Sequence, residues 1–334
     1  MSDERILLGH GSGGRMMHRL IREVMAPAFA VSGFGDAALL PAPAAGRLAF
    51  TTDGYVVSPV VFPGGDIGEL AVNGTVNDLA VSGARPHALS AGFVLEEGLP
   101  LAELRRIVAS MARAAREAGV AVVAGDTKVV GRGSCDKLFI TTAGIGVVPE
   151  GRVLSAREIR PGDAVLVSGH CGSHGVAVMA ERNGLTFEPP VLSDTAALNG
   201  LTEAMFATGA AIRVMRDPTR GGLATTLKEF ALESGRRILV REAEIPVLPG
   251  VRGACDLLGL DPLYVANEGI LIALVAPEEA ATVLAAMRAH PRGRDAALIG
   301  EVRAEQDAKV LLQTAAAGTR ILDMLPGEQL PRIC

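Results

Sequence analysis

Val120-Ala121-Val122-Val123-Ala124-Gly125-Asp126-Thr127-Lys128 is an apolar run that opens onto a glycine, an acid, a hydroxyl and a cation. The run is short and bounded by Gly119, which predicts a buried strand over Val120 to Ala124 after a helix that stops at that glycine. The preceding helix is legible from Leu101, Leu104, Ile107, Val108, Met111 and Ala115, which fall on one helical face. A strand that delivers an acid at its end recurs along the chain. Leu48-Ala49-Phe50-Thr51-Thr52 delivers Asp53, and Ile212 to Met215 feeds Asp217-Pro218-Thr219-Arg220-Gly221-Gly222. Between them, residues 67–83 read as a helix carrying Asn77 and Asp78, while 88–95 and 138–147 read as strands. Strands and helices alternate, so the expected fold is α/β or α+β in packed layers.

Turn chemistry at Arg160-Pro161-Gly162-Asp163 marks a boundary, after which the theme repeats. Gly169 to Gly175 is glycine-rich and precedes a helix; Leu223 to Ser234 and Glu278 to His290 are helical; Asn267-Glu268-Gly269 leads into the strand Ile270 to Val275. Two related units meeting at a cleft are expected, divided as 1–155 and 156–325, with 326–334 as a mobile tail. A length of 334 residues with 49% hydrophobic content accommodates two cores. The net charge of −5 and 3% aromatic content exclude a basic, stacking surface for nucleic acid. No apolar run reaches membrane-spanning length and no signal-like start is evident, so a cytoplasmic protein is expected. The four cysteines, Cys135, Cys171, Cys255 and Cys334, form no CxxC pair and indicate neither a zinc site nor a disulfide framework.

Four aspartates of the first half stand at element ends or turns: Asp36, Asp53, Asp78 and Asp126. Each alone is an ordinary turn or cap residue; together they suggest a magnesium cluster, since hard oxygen ligands suit Mg²⁺ bridging to substrate phosphates. Lys128 would set a compact cation on a phosphoryl group. No GxxxxGK[ST] loop is present. Gly9-His10-Gly11-Ser12-Gly13-Gly14 fits GxGxxG literally, but only Ile6-Leu7-Leu8 precedes it as a strand, which favours a loop of backbone amides folded over phosphates. Glu268 reads either as a general base or as a strand-end carboxylate paired with arginine. His87 reads either as a second proton-transfer group or as a structural histidine. Cys171 is taken as a small filler in a tight turn.

The chain stops at Pro331-Arg332-Ile333-Cys334. A terminal cysteine is of no use to a core, so this is either a frayed end or a mobile reactive carrier. Proline removes a donor and favours an extended tail, and Arg332 beside the thiol favours the thiolate.

Thr52-Asp53, Asn77-Asp78, Gly125-Asp126-Thr127-Lys128 and the Asp217 to Gly222 run resemble the ATP-binding superfamily of aminoimidazole ribonucleotide synthetase, selenophosphate synthetase and thiamine-monophosphate kinase. Within it, the runs Gly9 to Arg15, Phe62-Pro63-Gly64-Gly65-Asp66-Ile67-Gly68, Leu89-Ser90-Ala91-Gly92-Phe93 and Gly125 to Val130, with Pro-Arg-Ile-Cys at the end, are similar to the HypE family of hydrogenase maturation, the carbamoyl dehydratases. The resemblance implies a two-domain PurM-like fold and a homodimer whose first domains pair into a shared β-barrel-like core. ATP would bind near the interface through Asp53, Asn77, Asp78, Gly125, Asp126, Thr127, Lys128, Asp217 and Arg220. It implies that Cys334 carries a carbamoyl group from the carbamoyltransferase HypF, that ATP drives its dehydration to a thiocyanate, and that cyanide passes to the iron on the HypC-HypD complex for a [NiFe] hydrogenase. Cys334, Lys128, Glu268 and His87 are the expected catalytic residues. A selenophosphate synthetase would resemble its relatives in a reactive cysteine near the N-terminus, whereas the first here is Cys135. For a ribonucleotide cyclase the tail would be dispensable. A scaffold that docks through the tail would have no use for the acids.

Overall fold

The computed structural model describes residues 5–31, 37–327, 330 and 332–334. In the first half, α1 (Arg15–Leu20) and α2 (Ala26–Phe29) precede β1 (Arg47–Tyr55), a small ribbon of β2 (Val61–Phe62) and β3 (Gly65–Asp66), then α3 (Ile67–Val81), β4 (Arg85–Glu96), α4 (Leu101–Ala118), β5 (Ala121–Val130) and β6 (Leu138–Val148). The sheet runs β1-β6-β4-β5, with only β4 and β5 parallel. Asp66 starts α3 by accepting the amides of Gly68 (2.9 Å) and Glu69 (3.1 Å), which satisfies donors that a helix start leaves open. The amphipathic face expected for α4 is buried, and Gly119 ends the helix at φ +71°.

The second half holds β7 (Ala164–Val167), α5 (Ser173–Asn183), α6 (Asn199–Phe206), β8 (Ile212–Arg216), α7 (Gly222–Ser234), β9 (Ile238–Arg241), α8 (Pro249–Leu258), β10 (Ile272–Val275), α9 (Ala280–Ala289), β11 (Ala297–Val302), β12 (Val310–Gln313) and β13 (Thr319–Leu322). Its seven-stranded sheet runs β13-β12-β9-β11-β7-β10-β8. The helices bury apolar faces against it: Leu223, Leu227 and Phe230 of α7 in one cluster with β7, β9 and β12, and Val283 and Met287 of α9 in another. No described helix is long and apolar enough to cross a membrane.

One feature differs from the sequence reading. The strand expected to end at Ala124 runs on through Gly125-Asp126-Thr127-Lys128 to Val130, because β4 supplies a parallel partner that far. Within one chain the first sheet is open. One face takes α3, whose Thr75 and Leu79 stand over Gly144. The other presents Leu48 and Phe50, 64% and 71% exposed.

Candidate active site

The acids gather where α3 crosses the end of β1 and meets the second sheet. Thr75 on α3 donates to Asp53 Oδ2 at 3.3 Å, and Thr51 donates to Asp78 Oδ2 at 2.6 Å. Asp217, following β8, and Asp78 line a cleft of about 540 Å³ together with Ser82, Arg216 and Thr219. Glu268 completes the group from the loop before β10. Its position is fixed through the backbone: Asp194 Oδ2 accepts the amides of Glu268 (3.2 Å) and Gly269 (3.0 Å). A Cβ at position 269 would overlap the Asp194 carbonyl oxygen, so only glycine permits this approach.

Burial and like charge act together here. Burial raises the Asp53 carboxyl, with Asp78 adding to the effect. Asp217 is pushed up to about 7 by burial, then by Asp78 and Asp53. Glu268, 2% exposed, is held well above the usual carboxylate range by burial and then by Asp217 and Asp194. Its Oε1 is buried without a hydrogen-bond partner. A set of carboxyls that raise one another's proton affinity is a place for a cation, and Arg220 already offsets Asp53 in part. Among the described residues no three acids stand in a finished metal-binding arrangement.

Gly125, Asp126, Thr127 and Lys128 lie elsewhere. Asp53 sits opposite Thr142, then Ala91, then Gly125, so Asp126 is one residue out of that row. Its side chain therefore leaves the opposite face of the sheet, with Leu48 and Phe50, from an edge strand about 14 Å from β1. There it pairs with Lys128 at 2.8 Å and accepts the Thr127 amide at 2.8 Å. The four-aspartate cluster is thus not assembled within one chain: Asp53 and Asp78 are together, Asp126 is apart, and Asp36 lies outside the described residues. The glycine-rich loop goes with the second group, since Gly11 packs against Val129.

Two other expected site residues stand apart from the cleft. Asn77 is fully buried, its amide donating to the carbonyls of Ala196 (3.0 Å) and Glu268 (3.2 Å) and accepting the Leu198 amide (2.8 Å). Those bonds make it a staple between the halves. His87 is exposed at a bulge of β4. It is about 20 Å along the strand from the row that meets the tail.

The tail itself is seated. Cys334 O accepts the Val56 amide (3.1 Å) and Arg332 O the Ser58 amide (3.3 Å), an antiparallel pairing with the segment after β1. Ile333 is 2% exposed in the first core, and Cys334 packs against the same core. Arg332 adopts φ +54° rather than the expected extended form, pairs with Asp136 and stands 5.7 Å over the Phe139 ring. Next to Val56, the buried Tyr55 hydroxyl lies 3.5 Å from Thr75 Oγ1, the same hydroxyl that reaches Asp53. Sequence reading passed over His174, whose Nε2 lies 2.9 Å from Ile333 O, and Arg182, which donates to Arg332 O at 2.7 Å. Its glycine-rich surroundings drew attention to Cys171, which is buried and has its thiol pushed up to about 12.

Residues 34–148 match the AIR synthase related protein, N-terminal domain family, and residues 160–313 match the corresponding C-terminal domain family. The chain is 54% identical to the carbamoyl dehydratase HypE of Cupriavidus necator, over 99% of this chain and 95% of that one. A crystal structure of hydrogenase maturation protein HypE in complex with ATP superposes with a TM-score of 0.94 at 51% identity, covering 98% of this chain and 99% of that one. A HypE-HypF complex structure superposes with a TM-score of 0.81 at 46% identity, covering 92% and 99%. With two PurM-like halves, a seam of buried acids and a cysteine tail seated beside it, this chain belongs to the HypE family of carbamoyl dehydratases.

Proposed function

We propose that the chain dehydrates an S-carbamoyl group on its own Cys334 to S-cyanate, using ATP as co-substrate, and so provides the cyanide ligand of a [NiFe] hydrogenase iron. The observation that carries this reading is the seating of Cys334 one residue from Tyr55, through which Thr75 leads to the acid group. The names of the relatives, and the ATP in one of their structures, support it.

The amide oxygen of a thiocarbamate is a poor leaving group, so it takes the γ-phosphoryl group of ATP. Phosphate then departs as the nitrogen gives up its two protons, converting S–C(=O)–NH₂ to S–C≡N. Magnesium held by Asp53, Asp78 and Asp217 would supply positive charge against the phosphate oxygens. Glu268 is the proton acceptor: its Oε1 is buried without a partner, and the positive charge of a bound cation would offset the burial and like charge that hold it protonated, freeing it to take an N–H proton. Tyr55 and Ile333 line the core against which the partly buried Cys334 packs.

The reading extends to a homodimer. Leu48, Phe50, Asp126 and Lys128 share the uncovered face of the first sheet. A second copy pairing there would bury the apolar residues and bring an Asp126-Lys128 pair and a glycine-rich loop toward the acids of its neighbour. HypF, seen with a relative in a complex, is the proposed source of the carbamoyl group, and the HypC-HypD complex the proposed acceptor.

Intact-mass spectrometry after incubation with carbamoyl phosphate, HypF and ATP tests the reading. The wild type should lose the mass of one water from a carbamoyl adduct mapped to Cys334. Cys334→Ala should acquire neither adduct while binding ATP as before. An unmodified Cys334 under these conditions sinks the proposal.

A further inference from the structure

The tail is gripped by its main chain. His174 Nε2 lies 2.9 Å from Ile333 O, and a carbonyl oxygen only accepts, so the ring carries its proton on Nε2. Nδ1 is then an acceptor, and the Ser193 hydroxyl 2.8 Å away donates to it. Ser193 Oγ in turn accepts the Thr195 amide at 3.1 Å. Three hydrogen bonds therefore run in one direction, from the Thr195 backbone through Ser193 and His174 to the tail. The ring is fully buried and meets Phe62 edge-on at 5.3 Å, which leaves no solvent to replace a lost bond. Between Ser193 and Thr195 stands Asp194, whose carboxylate holds the amides of Glu268 and Gly269. One three-residue segment thus orients both the ring that holds the tail and the backbone of the proposed base.

We propose that His174 is a positioning residue that seats Cys334 by gripping the Ile333 carbonyl, and that residues 193–195 tie this grip to the placement of Glu268. The proposal rests on the dehydratase reading for its purpose, though not for its geometry. Because the grip falls on the backbone one residue before the cysteine, it is indifferent to whether the sulfur carries hydrogen, a carbamoyl group or cyanide. Arg182 is a second holder on the same helix, bonding Arg332 O and, at 2.7 Å, Ser58 O.

Two measurements on the full-length protein test this. The first is the rate of Cys334 alkylation by iodoacetamide, followed by peptide mapping without nucleotide. The second is single-turnover conversion of pre-carbamoylated protein to the cyano form. Replacing the ring by His174→Leu removes one buried hydrogen bond, so alkylation should quicken by roughly fivefold and conversion should slow by at least as much, with the KM for ATP unchanged. His174→Gln retains an N–H donor near the Nε2 position and should recover most of both. Ser193→Ala, which leaves the ring in place but removes the donor to Nδ1, should shift both rates by roughly two- to threefold in the same directions, and it serves as the deciding variant if His174→Leu does not fold. Wild-type rates in a folded His174→Leu protein would overturn the proposal. So would equal losses in the Leu and Gln variants accompanied by a raised KM for ATP, since that pattern marks general disruption. If the wild type itself never forms the cyano adduct, the dehydratase reading falls, and the alkylation rates still judge the grip.

Discussion

Asp217 follows one strand and Asp126 stands in another, yet their surroundings shift their proton affinities in opposite directions. Asp217 sits in the seam at 7% exposure beside Asp53 and Asp78, and its carboxyl is pushed up to about 7. Asp126 is exposed on the sheet face, and the Lys128 ammonium and Thr127 amide hold its carboxyl below the usual range. The first patch crowds acids that hold protons until some positive charge offsets them; the second is an exposed ion pair. One chain therefore holds two incomplete parts of the expected nucleotide site, about 14 Å apart across the sheet.

The sharpest test of the buried patch is Glu268→Gln. Removing a general base from an N–H deprotonation should slow cyanide formation by roughly 10²- to 10⁴-fold while carbamoyl loading of Cys334 proceeds, read by intact mass over time. A comparable loss from an exposed acid away from the cleft, such as Glu278, would show that the seam holds no special position. The second test asks whether the two patches complete each other between copies. Asp53→Asn and Lys128→Ala chains should each be inactive alone; mixed, they should regain roughly a quarter of wild-type turnover, because half the dimers carry one intact site of two. No recovery on mixing would place both patches in one site of one chain, against the register of the sheet.

The smallest effects are on stability, and they run in opposite senses with pH. Asp217 binds its proton more tightly in the folded chain than in the unfolded one, so raising pH from about 4 to about 7 destabilises the fold. Asp217→Asn removes that penalty: without nucleotide it should be more stable than wild type by roughly 2–4 kcal/mol at pH 8 and by less at pH 5, by urea titration. Asp126 binds its proton less tightly when folded, so its contribution is present above about pH 4 and fades below it. At an exposed pair this amounts to under about 1 kcal/mol, lost in Asp126→Asn. Identical pH responses of the two variants would dissolve the contrast.

The elements were largely legible because their signals are local. The one-sided apolar spacing of α4, the stop at Gly119 and the strand that presents Asp53 all depend on neighbours within a few residues. The companions of the acids were not legible. The strand was expected to end at Ala124, where the apolar run stops, and only a parallel partner from β4 carries it through Gly125 to Lys128. Asn77 adjoins Asp78 in sequence but faces the other half of the molecule, where backbone groups absorb its amide. His174 carried no signal beyond a glycine-rich turn, since its partner is a carbonyl 159 residues away.

Sequence alone determined the alternation of the main strands and helices, the two-unit plan, the supply of acids and the cysteine of the tail. It did so because periodicity, capping and turn chemistry act over a few residues. Only the tertiary structure decided which acids share a site, which face of the sheet Asp126 leaves, and what holds the tail. Those outcomes depend on sheet register, where a shift of one residue reverses the face, and on contacts between residues more than a hundred positions apart.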